Sequence, residues 1–368
     1  MQVLKWFIEK YTTREDGKES IISAMKRTSH HIDEHTQSPY HVEGDVYTHT
    51  LMAYSHVKDP LDIELKLAVL CHDIGKPACA KDKIEKGRVG FSGHEAFSSF
   101  MALEVLEEYE KDFNVSLNKP LILLAINWHS VLQKLPSFNE EENYPFLTDE
   151  ALKEINLRFG RSFELYTLTA DLAMADNLGR ISVDYKISIE KQNLLQNIVP
   201  TRLGRDETKE CLATMLCGIH GSGKSETARK ILQENPKTVL LSVDDILMET
   251  LNPNGYTYNQ VWTKDNNKAA FETLVERLKE AVDNKQSVVL DLLNIDEKIQ
   301  RRLMSLIPDK IYHKRAITHT STRERIFARN KDRRKEGKEL PKEVILSAAK
   351  SFEFPYRSIF DSVKIVIT

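Results

Sequence analysis

Apolar residues recur at helical spacing through the first half of the chain. The clearest stretches are 61–72 (LDIELKLAVLCH), 95–109 and 151–179, and few β-branched runs bounded by turn residues interrupt them. Apolar positions at i, i+3, i+4 and i+7 are typical of amphipathic helices. The pattern therefore predicts an all-α domain over residues 1–200.

After about residue 200, short β-type runs alternate with amphipathic segments. The runs are LATMLCGI, KTVLLSV, SVVLDLL and DKIYHKRAI. Strands that alternate with helices predict a parallel α/β domain, here over residues 205–368. The segment 197–208 holds a proline, a glycine and charges of both signs, so we expect the domain boundary near it.

The first of these β-type runs leads directly into CGIHGSGKS, residues 217–225. The pattern G-x-x-x-x-G-K-[ST] between a strand and a helix is typical of a phosphate-binding loop, in which glycines turn backbone N–H groups toward phosphate. The lysine reaches the β and γ oxygens and the serine can ligate Mg²⁺. The sequence therefore predicts binding of ATP or another NTP with Mg²⁺. The predicted nucleotide-binding residues are Gly218, Gly221, Ser222, Gly223, Lys224 and Ser225.

Carboxylates follow the next two strands of the predicted α/β domain. Asp244 and Asp245 end VLLSVDDI, and Asp291 lies in VVLDLLN with Asn294 close behind. Ligands of open α/β sheets bind at the carboxyl ends of the strands, where a carboxylate can accept the proton of an acceptor hydroxyl or hold a metal ion. The structural alternatives are a helix cap for Asp244 or Asp245 and a turn-forming pair for Asp291 and Asn294.

A basic segment, residues 323–343, holds nine Lys/Arg against five Asp/Glu. Arg329 and Arg333 are spaced i, i+4, which places them on one helix face and suits a clamp on a transferring phosphoryl group. A solvated helix face is the alternative interpretation.

Together these motifs resemble the 5′-OH polynucleotide kinases of phage and bacterial end-healing enzymes over residues 211–345. The resemblance implies that Asp244 is the general base, that Asp291 is an acceptor-site carboxylate, and that Lys224, Arg329 and Arg333 bind the phosphates. The segment 255–260 (GYTYNQ) is similar in position to the acceptor-side helices of that family.

The first half of the chain is rich in histidine. Nine of the twelve histidines precede residue 130, in pieces that include EGDVYTHT, LCHDIGKP, GHEA and NWHS, followed by ADNLGR. Histidine with carboxylate is a ligand set that suits transition metals. The adjacent pair His72 and Asp73, which we expect on a helix, would face one ion together with His49 and a later Asp.

This half resembles the HD phosphohydrolase superfamily over residues 35–185, especially the HD domains of tRNA nucleotidyltransferases. The resemblance implies His49, His72, Asp73 and Asp176 as ligands of one ion, with His94 and His129 as ligands of a second ion or as phosphate contacts and acids. Asp171 remains the alternative to Asp176 as the last ligand. The ion would be Mn²⁺, Ni²⁺, Co²⁺, Fe²⁺ or Zn²⁺.

For other polar residues of this half the sequence leaves alternatives open. Lys76 either neutralises substrate phosphate or ends a solvated helix. His41 and His56 are expected at the surface or hydrogen-bonded within the fold, with substrate contact as the alternative, and His30, His31 and His35 have no assigned role.

Composition restricts the function classes. The net charge of −3 argues against general coating of nucleic acid but allows a local basic groove. The longest apolar run is six residues, against roughly 20 for a membrane helix, and the charged opening MQVLKWFIEKY does not match a secretion signal. The four cysteines include no C-x-x-C pair, which favours reduced thiols. We therefore expect a cytoplasmic protein with no membrane partner.

The two resemblances combine in the bacterial and phage HD-Pnk end-healing enzymes, which have this domain order. That family implies removal of a 2′,3′-cyclic phosphate or a 2′- or 3′-phosphate by one domain and 5′ phosphorylation by the other. Its partners would be RNA, with tRNA among the candidates, or DNA ends, and a separate RNA ligase. The alternatives are a nucleotide-metabolism enzyme with a small-molecule kinase, and a kinase joined to a metal-free HD domain that only binds RNA.

Overall fold

The structure, a computed structural model, describes residues 2–13, 19–32, 39, 41–59, 62–83, 88–201, 209–251, 258–356 and 358–368. Most of the expected boundary segment, the first part of GYTYNQ and His35 lie outside these residues. The chain divides into two compact units, Met1–Leu203 and Gly204–Thr368. Among the described helices, none has the length and apolar character that crossing a membrane requires.

The first unit is mostly helical. Its helices are α1 (Gln2–Tyr11), α2 (Ile21–Arg27), α3 (Val46–Ser55), α4 (Ile63–Cys71), α5 (Lys76–Cys79), α6 (His94–Phe113), α7 (Lys119–Lys134), α8 (Asp149–Phe159), α9 (Phe163–Leu178) and α10 (Tyr185–Gln196). The expectation of a helical first half is confirmed. The unit also contains two short antiparallel hairpins, β1 (Lys81–Lys83) with β2 (Arg88–Gly90) and β3 (Ser137–Asn139) with β4 (Tyr144–Phe146), which the helical pattern did not predict.

Capping residues explain where several of these helices begin. Asp45 accepts a hydrogen bond from the Thr48 backbone N–H at the start of α3, and Ser162 accepts one from Leu165 N–H at the start of α9. Such caps satisfy N–H groups that have no partner within the helix. The two helices therefore start where they deliver His49 and Asp176 to the interior of the unit.

The second unit is a parallel α/β domain. Its elements are β5 (Cys211–Cys217), α11 (Lys224–Glu234), β6 (Val239–Ser242), α12 (Val243–Leu251), α13 (Tyr258–Val261), α14 (Lys264–Asp283), β7 (Val288–Asp291), α15 (Glu297–Met304), β8 (Tyr312–Thr320), α16 (Arg323–Asp332), α17 (Lys342–Lys350) and β9 (Ser362–Ile367). A 3-10 helix, Arg333–Glu336, follows α16. The strand order is β6-β7-β5-β8-β9, and all pairs are parallel.

The expectation of a parallel α/β second half is confirmed, with one strand more than the sequence predicted. Strand β9 has the sequence SVKIVI and pairs with β8 at the sheet edge. Its β-branched residues were the available signal. Both faces of the sheet are covered, because alternate residues such as Leu216 and Met215 join separate apolar clusters.

Candidate functional sites

The phosphate-binding loop follows the central strand of the second unit. Strand β5 runs between β7 and β8, so the loop after Cys217 begins beside Asp291 and Thr318. Gly218, Gly221 and Gly223 have backbone φ angles of 146°, 78° and 95°, which residues other than glycine rarely adopt. A Cβ at Gly218 would also lie 2.6 Å from the carbonyl oxygen of His319. Glycine is therefore required here by conformation and by space.

Lys224 is the first residue of α11. Its Nζ donates to the carbonyl oxygens of Gly218 and Ile219, at 2.8 and 3.0 Å, so the side chain folds back over the loop. Burial lowers the pKa of Lys224, while Asp291 and Asp244 oppose the shift. The two carboxylates therefore lie close enough to the ammonium group to influence it electrostatically.

Asp291 ends β7 and lies close enough to the Ser225 side chain for that hydroxyl to influence its pKa. Burial raises the pKa of Asp291, and Lys224 and Ser225 only partly oppose it. A serine at the start of the helix paired with a carboxylate at the end of the neighbouring strand is a suitable pair of oxygen ligands for Mg²⁺. Asn294 has a different role, because it is buried with φ 47° and its Nδ2 donates to Leu216 O at 2.8 Å. It ties the ends of β5 and β7 together.

Asp244 and Asp245 lie in the first turn of α12. The helix start is capped by Ser242, whose Oγ accepts from Asp245 N–H at 3.2 Å. Asp244 accepts a 2.7 Å hydrogen bond on Oδ1 from the hydroxyl of Tyr258 in α13. Asp244 is therefore held by Tyr258 at a place from which it acts electrostatically on Lys224, and the sequence did not single out Tyr258.

The two arginines of the basic segment have different surroundings. Arg329 donates through Nη1 to Gly221 O at 3.2 Å and to Thr368 Oγ1 at 2.8 Å, so it binds the backbone of the loop and the last strand. Arg333 follows at the end of α16 and acts electrostatically on Lys224 and His220. Burial lowers the pKa of His220 to about 4, and Lys224 and Arg333 add to the shift.

The second candidate site is a cluster of six side chains in the first unit. The structure brings together the residues from the five histidine and aspartate motifs: His49, His72, Asp73, His94, His129 and Asp176. They form two groups that could each hold a cation, one of His49, His72 and Asp176 and the other of Asp73, His94 and His129. We refer to the whole set as the histidine–aspartate cluster.

Asp73 lies between the two groups. Its Oδ2 is 3.1 Å from His72 Nε2 and 3.6 Å from His49 Nε2, whereas its Oδ1 is 3.4 Å from His94 Nε2. A carboxylate in this position can contribute one oxygen to each group. Contrary to expectation, His72 and Asp73 do not lie within a helix, because α4 ends at Cys71 and His72 is its C-cap. The following turn points both side chains into the cluster.

Backbone carbonyls orient three of the imidazoles in the same way. The Nδ1 atoms of His72, His94 and His129 each lie 2.7 to 2.8 Å from the carbonyl oxygen three residues earlier. A proton on Nδ1 leaves the lone pair of Nε2 directed into the cluster, which is how metal-binding histidines are commonly prepared. For His49, the atom near Nδ1 is Glu43 Oε1, at 3.0 Å.

The electrostatics of the cluster favour a cation. Burial would raise the pKa values of Asp73 and Asp176, but neighbouring histidines, and Lys76 for Asp73, hold both well below the usual range. Burial would lower the pKa of His72, but the negative charges of Asp73 and Asp176 outweigh the effect of burial and raise the pKa to about 10. His72 Nε2 and both oxygens of Asp73 are buried and lack a well-directed hydrogen bond to any described residue. The buried carboxylates thus stabilise positive charge at His72 Nε2, and a divalent metal ion that replaces the proton on that nitrogen would supply it.

Asp176 rather than Asp171 belongs to the cluster. Asp176 Oδ1 is 2.8 Å from His49 Nε2, and Gln133 Nε2 donates to its Oδ2 at 2.6 Å. Asp171, on the same helix, accepts instead from Gln196. Lys76 does not end a solvated helix, because it is buried and its Nζ is 2.6 Å from Asp73 Oδ2.

Sequence reasoning missed a second layer of polar residues behind the cluster. His30 Nε2 is 3.1 Å from Lys76 Nζ, and His30 stacks on His41, whose Nδ1 is 2.8 Å from Glu43 Oε1. His30, His41 and Glu43 are close enough to hold a cation, but the two rings lie 4.0 Å apart and within 9° of parallel. An ion 2.0 to 2.1 Å from both nitrogens could not lie in both ring planes, which disfavours a metal there. His56 is an exposed C-cap of α3.

The comparisons with known proteins concern the second unit. A family model, AAA_33, described as an AAA domain, matches residues 214–355. A solved structure assigned as a kinase from Chloroflexus aurantiacus is 15% identical, with a TM-score of 0.37, covering 44% of this chain and 87% of that one. A gluconokinase from Sinorhizobium meliloti is 16% identical, with a TM-score of 0.31, covering 44% and 84%.

A chain of a Pnkp1/Rnl/Hen1 RNA repair complex is also similar, with 17% identity and a TM-score of 0.35. The match covers 42% of this chain and 51% of that one. The family match and the sheet agree that the second unit is a P-loop domain with a parallel α/β sheet.

Proposed function

We propose that this chain repairs broken nucleic-acid ends with two activities. The second unit would phosphorylate a 5′-OH end with an NTP, and the first would remove a 2′,3′-cyclic phosphate or a 2′- or 3′-phosphate. The observation that carries the proposal is the presence in one chain of a P-loop whose lysine is influenced by an anchored carboxylate, Asp244, and of a buried histidine–aspartate cluster. Both sites suit phosphate chemistry, one by transfer and one by hydrolysis.

In the kinase unit, Asp244 would accept the proton of the attacking 5′ hydroxyl. Its Oδ1 accepts a hydrogen bond from Tyr258, so Oδ2 is the oxygen that would accept the proton of the attacking hydroxyl. Lys224 and Arg333 would neutralise charge on the transferred phosphoryl group, and Ser225 with Asp291 would hold Mg²⁺. The ion would neutralise phosphate charge when bound. Arg329 would keep the loop in shape through Gly221.

In the hydrolase unit, the histidine–aspartate cluster would hold one or two divalent transition-metal ions. Such ions polarise phosphoryl oxygens and lower the pKa of a bound water. Asp73 would serve both groups of ligands, and Gln133 would orient Asp176. The His94 side chain, exposed by 14%, is the most accessible imidazole of the cluster and would be the first to meet substrate phosphate.

The two products, a 5′-phosphate and a 3′-hydroxyl, are the ends that a nucleic-acid ligase joins. We therefore propose a separate RNA ligase as the functional partner and broken RNA, with tRNA among the candidates, or DNA as the substrate. The cytoplasm is the proposed location, a compartment in which free cysteines such as the four buried ones persist.

The test uses one oligoribonucleotide with a 5′-OH and a 2′,3′-cyclic phosphate, incubated with ATP, Mg²⁺ and Mn²⁺. Lys224→Ala should reduce 5′ phosphorylation by roughly 100-fold or more while the cyclic phosphate is still removed. Asp73→Ala should have the reverse effect. The pair are mutual controls, because each variant keeps the activity that the other loses.

Three results would contradict the proposal in different ways. Turnover of free nucleotides or small phosphoesters with no change at either RNA end would assign the protein to nucleotide metabolism. Unchanged removal of the cyclic phosphate by Asp73→Ala would remove the histidine–aspartate cluster from the reaction. A first unit that binds RNA but takes up no metal after chelation and reloading would be only a binding domain.

A further inference from the structure

The short turn that carries Tyr258 lies on the acceptor side of the kinase site. Tyr258 is only 5% exposed, and its hydroxyl donates to Asp244 Oδ1 at 2.7 Å. Burial raises the pKa of Tyr258, and Asp244 raises it further, so the phenol remains a donor. The turn is therefore fixed directly against the carboxylate that would meet the acceptor hydroxyl.

Trp262 follows one helical turn after Tyr258. Its backbone N–H donates to Tyr258 O at 3.0 Å, a bond that closes the single turn of α13 and places Trp262 directly after it. Residues i and i+4 share a helix face and are about 6 Å apart along the axis. The Trp262 side chain is 52% exposed, although the neighbouring Tyr258 and Val261 are buried. A flat apolar surface is thus presented to solvent about one turn from Tyr258 and the carboxylate it anchors.

Two lysines belong to the same region of the second unit. Lys338, from the segment after the 3-10 helix, places its Nζ 5.3 Å from the centroid of the Tyr258 ring. Lys264 begins α14 two residues after Trp262. The accessible Trp262 ring therefore follows a turn that Lys338 contacts at Tyr258. Aromatic rings with cations nearby bind single-stranded nucleic acid, because bases stack on the rings and the cations follow the phosphates.

We propose that Trp262 is the surface on which the 5′-terminal base of the acceptor strand stacks. The inference rests on the proposed kinase function and adds to it the way in which the enzyme would select a polynucleotide end. Stacking requires only the face of a base, so the site would accept any of the four bases. Because the base and the 5′ hydroxyl are carried by the same ribose, stacking of the base would hold the hydroxyl near Asp244.

The first experiment compares steady-state kinetics of Trp262→Ala and Trp262→Phe in the full chain. Trp262→Ala should raise KM for a 5′-OH oligonucleotide roughly 5- to 100-fold and leave KM for ATP unchanged. Trp262→Phe should recover most of the loss, because a phenyl ring still stacks. Ile299→Ala is the matched control, since Ile299 is an exposed apolar residue of the same unit, 39% exposed, on α15.

A substrate lacking its 5′-terminal base makes the test specific. The wild-type chain should bind this abasic oligonucleotide as weakly as Trp262→Ala binds the normal one. The Trp262→Ala substitution should not raise KM for the abasic oligonucleotide any further. An equal rise in KM for both substrates, or no rise for the normal one, would overturn the inference.

Fluorescence gives a second measurement that does not depend on turnover. Trp6 and Trp128 are the other two tryptophans, and both belong to the first unit. The difference between the emission of the wild type and that of Trp262→Phe is the contribution of Trp262. A 5′-OH oligonucleotide should quench this contribution, whereas the abasic oligonucleotide should not. A wild type that phosphorylates oligonucleotides without these effects would refute only the role of Trp262. A wild type that phosphorylates no oligonucleotide would refute the proposed function itself.

Discussion

Two aspartates on one helix show how strongly position within a turn decides the role of a residue. Asp171 and Asp176 both lie in α9, but residues five apart point about 140° away from each other around a helix. Asp176 contacts His49 and Gln133, whereas Asp171 accepts from Gln196. The sequence left both as candidates, because its motif did not fix which face of the helix is turned inward.

Replacing each aspartate with asparagine tests this assignment. Asp176→Asn removes a charge next to His49 and should weaken binding of Mn²⁺ by about 10- to 100-fold and abolish removal of the cyclic phosphate. Asp171→Asn retains a side-chain oxygen that can accept from Gln196. It should change neither Mn²⁺ affinity nor removal of the cyclic phosphate by more than about 2-fold. Titration calorimetry with Mn²⁺ measures the first property directly. Equal losses in the two variants would contradict the assignment.

Tyr258 affords a second test with a single-atom change. Tyr258→Phe removes the hydroxyl that donates to Asp244 and should lower kcat for 5′ phosphorylation about 10-fold, with KM for ATP unchanged. Tyr312→Phe is the control, because its hydroxyl donates to Gln286 O on another part of the same unit. In the background of Asp244→Asn, Tyr258→Phe should have no further effect. Additive losses would show that the tyrosine acts independently of the carboxylate.

At the scale of elements, close packing against α6 fixes the turn that carries His72 and Asp73. A Cβ at Gly75 would lie 2.6 Å from Ser98 N and 2.9 Å from His94 O, although the backbone of Gly75 has ordinary helical angles. Gly75 N–H also donates to Ser98 Oγ at 2.9 Å. The glycine is therefore needed for space and not for conformation.

Gly75→Ala should lower the free energy of unfolding of the first unit by about 1 to 3 kcal/mol, because backbone atoms of α6 must move. Gly90→Ala is the matched substitution in β2, where the added Cβ would meet only the flexible end of Lys83. It should cost less than about 1 kcal/mol. Urea denaturation of both variants checks the difference, and similar losses would mean that the turn adjusts freely.

Local patterns predicted the elements, but contacts between distant elements could not be predicted. The P-loop is a local motif, and the helices of the first unit follow from apolar periodicity. Strand β9 was missed although its β-branched residues follow a turn, because an alternating pattern of only six residues is a weak local signal. The burial of Lys76 and its contact with His30 depend on residues 46 positions apart, which no local pattern indicates.

At the scale of the molecule, each unit has its own core and its own ligand chemistry. The first unit buries residues such as Leu70, Ile122 and Leu172, and the second packs two apolar clusters against the sheet. Binding to a folded unit stabilises that unit and no other unless the two unfold together. Ligands specific to each site should therefore act on separate unfolding transitions.

We expect two thermal transitions with different ligand responses. Saturating Mn²⁺ at about 100 times its Kd adds roughly 3 kcal/mol to the metal-binding unit, which corresponds to about 5 to 10 °C for a unit of this size. Chelation should reverse that shift and leave the unfolding temperature of the nucleotide-binding unit unchanged. A non-hydrolysable ATP analogue with Mg²⁺ should raise the unfolding temperature of the nucleotide-binding unit alone. Differential scanning calorimetry should show that Asp73→Ala loses the response to Mn²⁺ and that Lys224→Ala loses the response to the ATP analogue. A single transition that responds to both ligands would mean that the two units unfold as one, and the activities could then be coupled through stability even though their sites lie in different units.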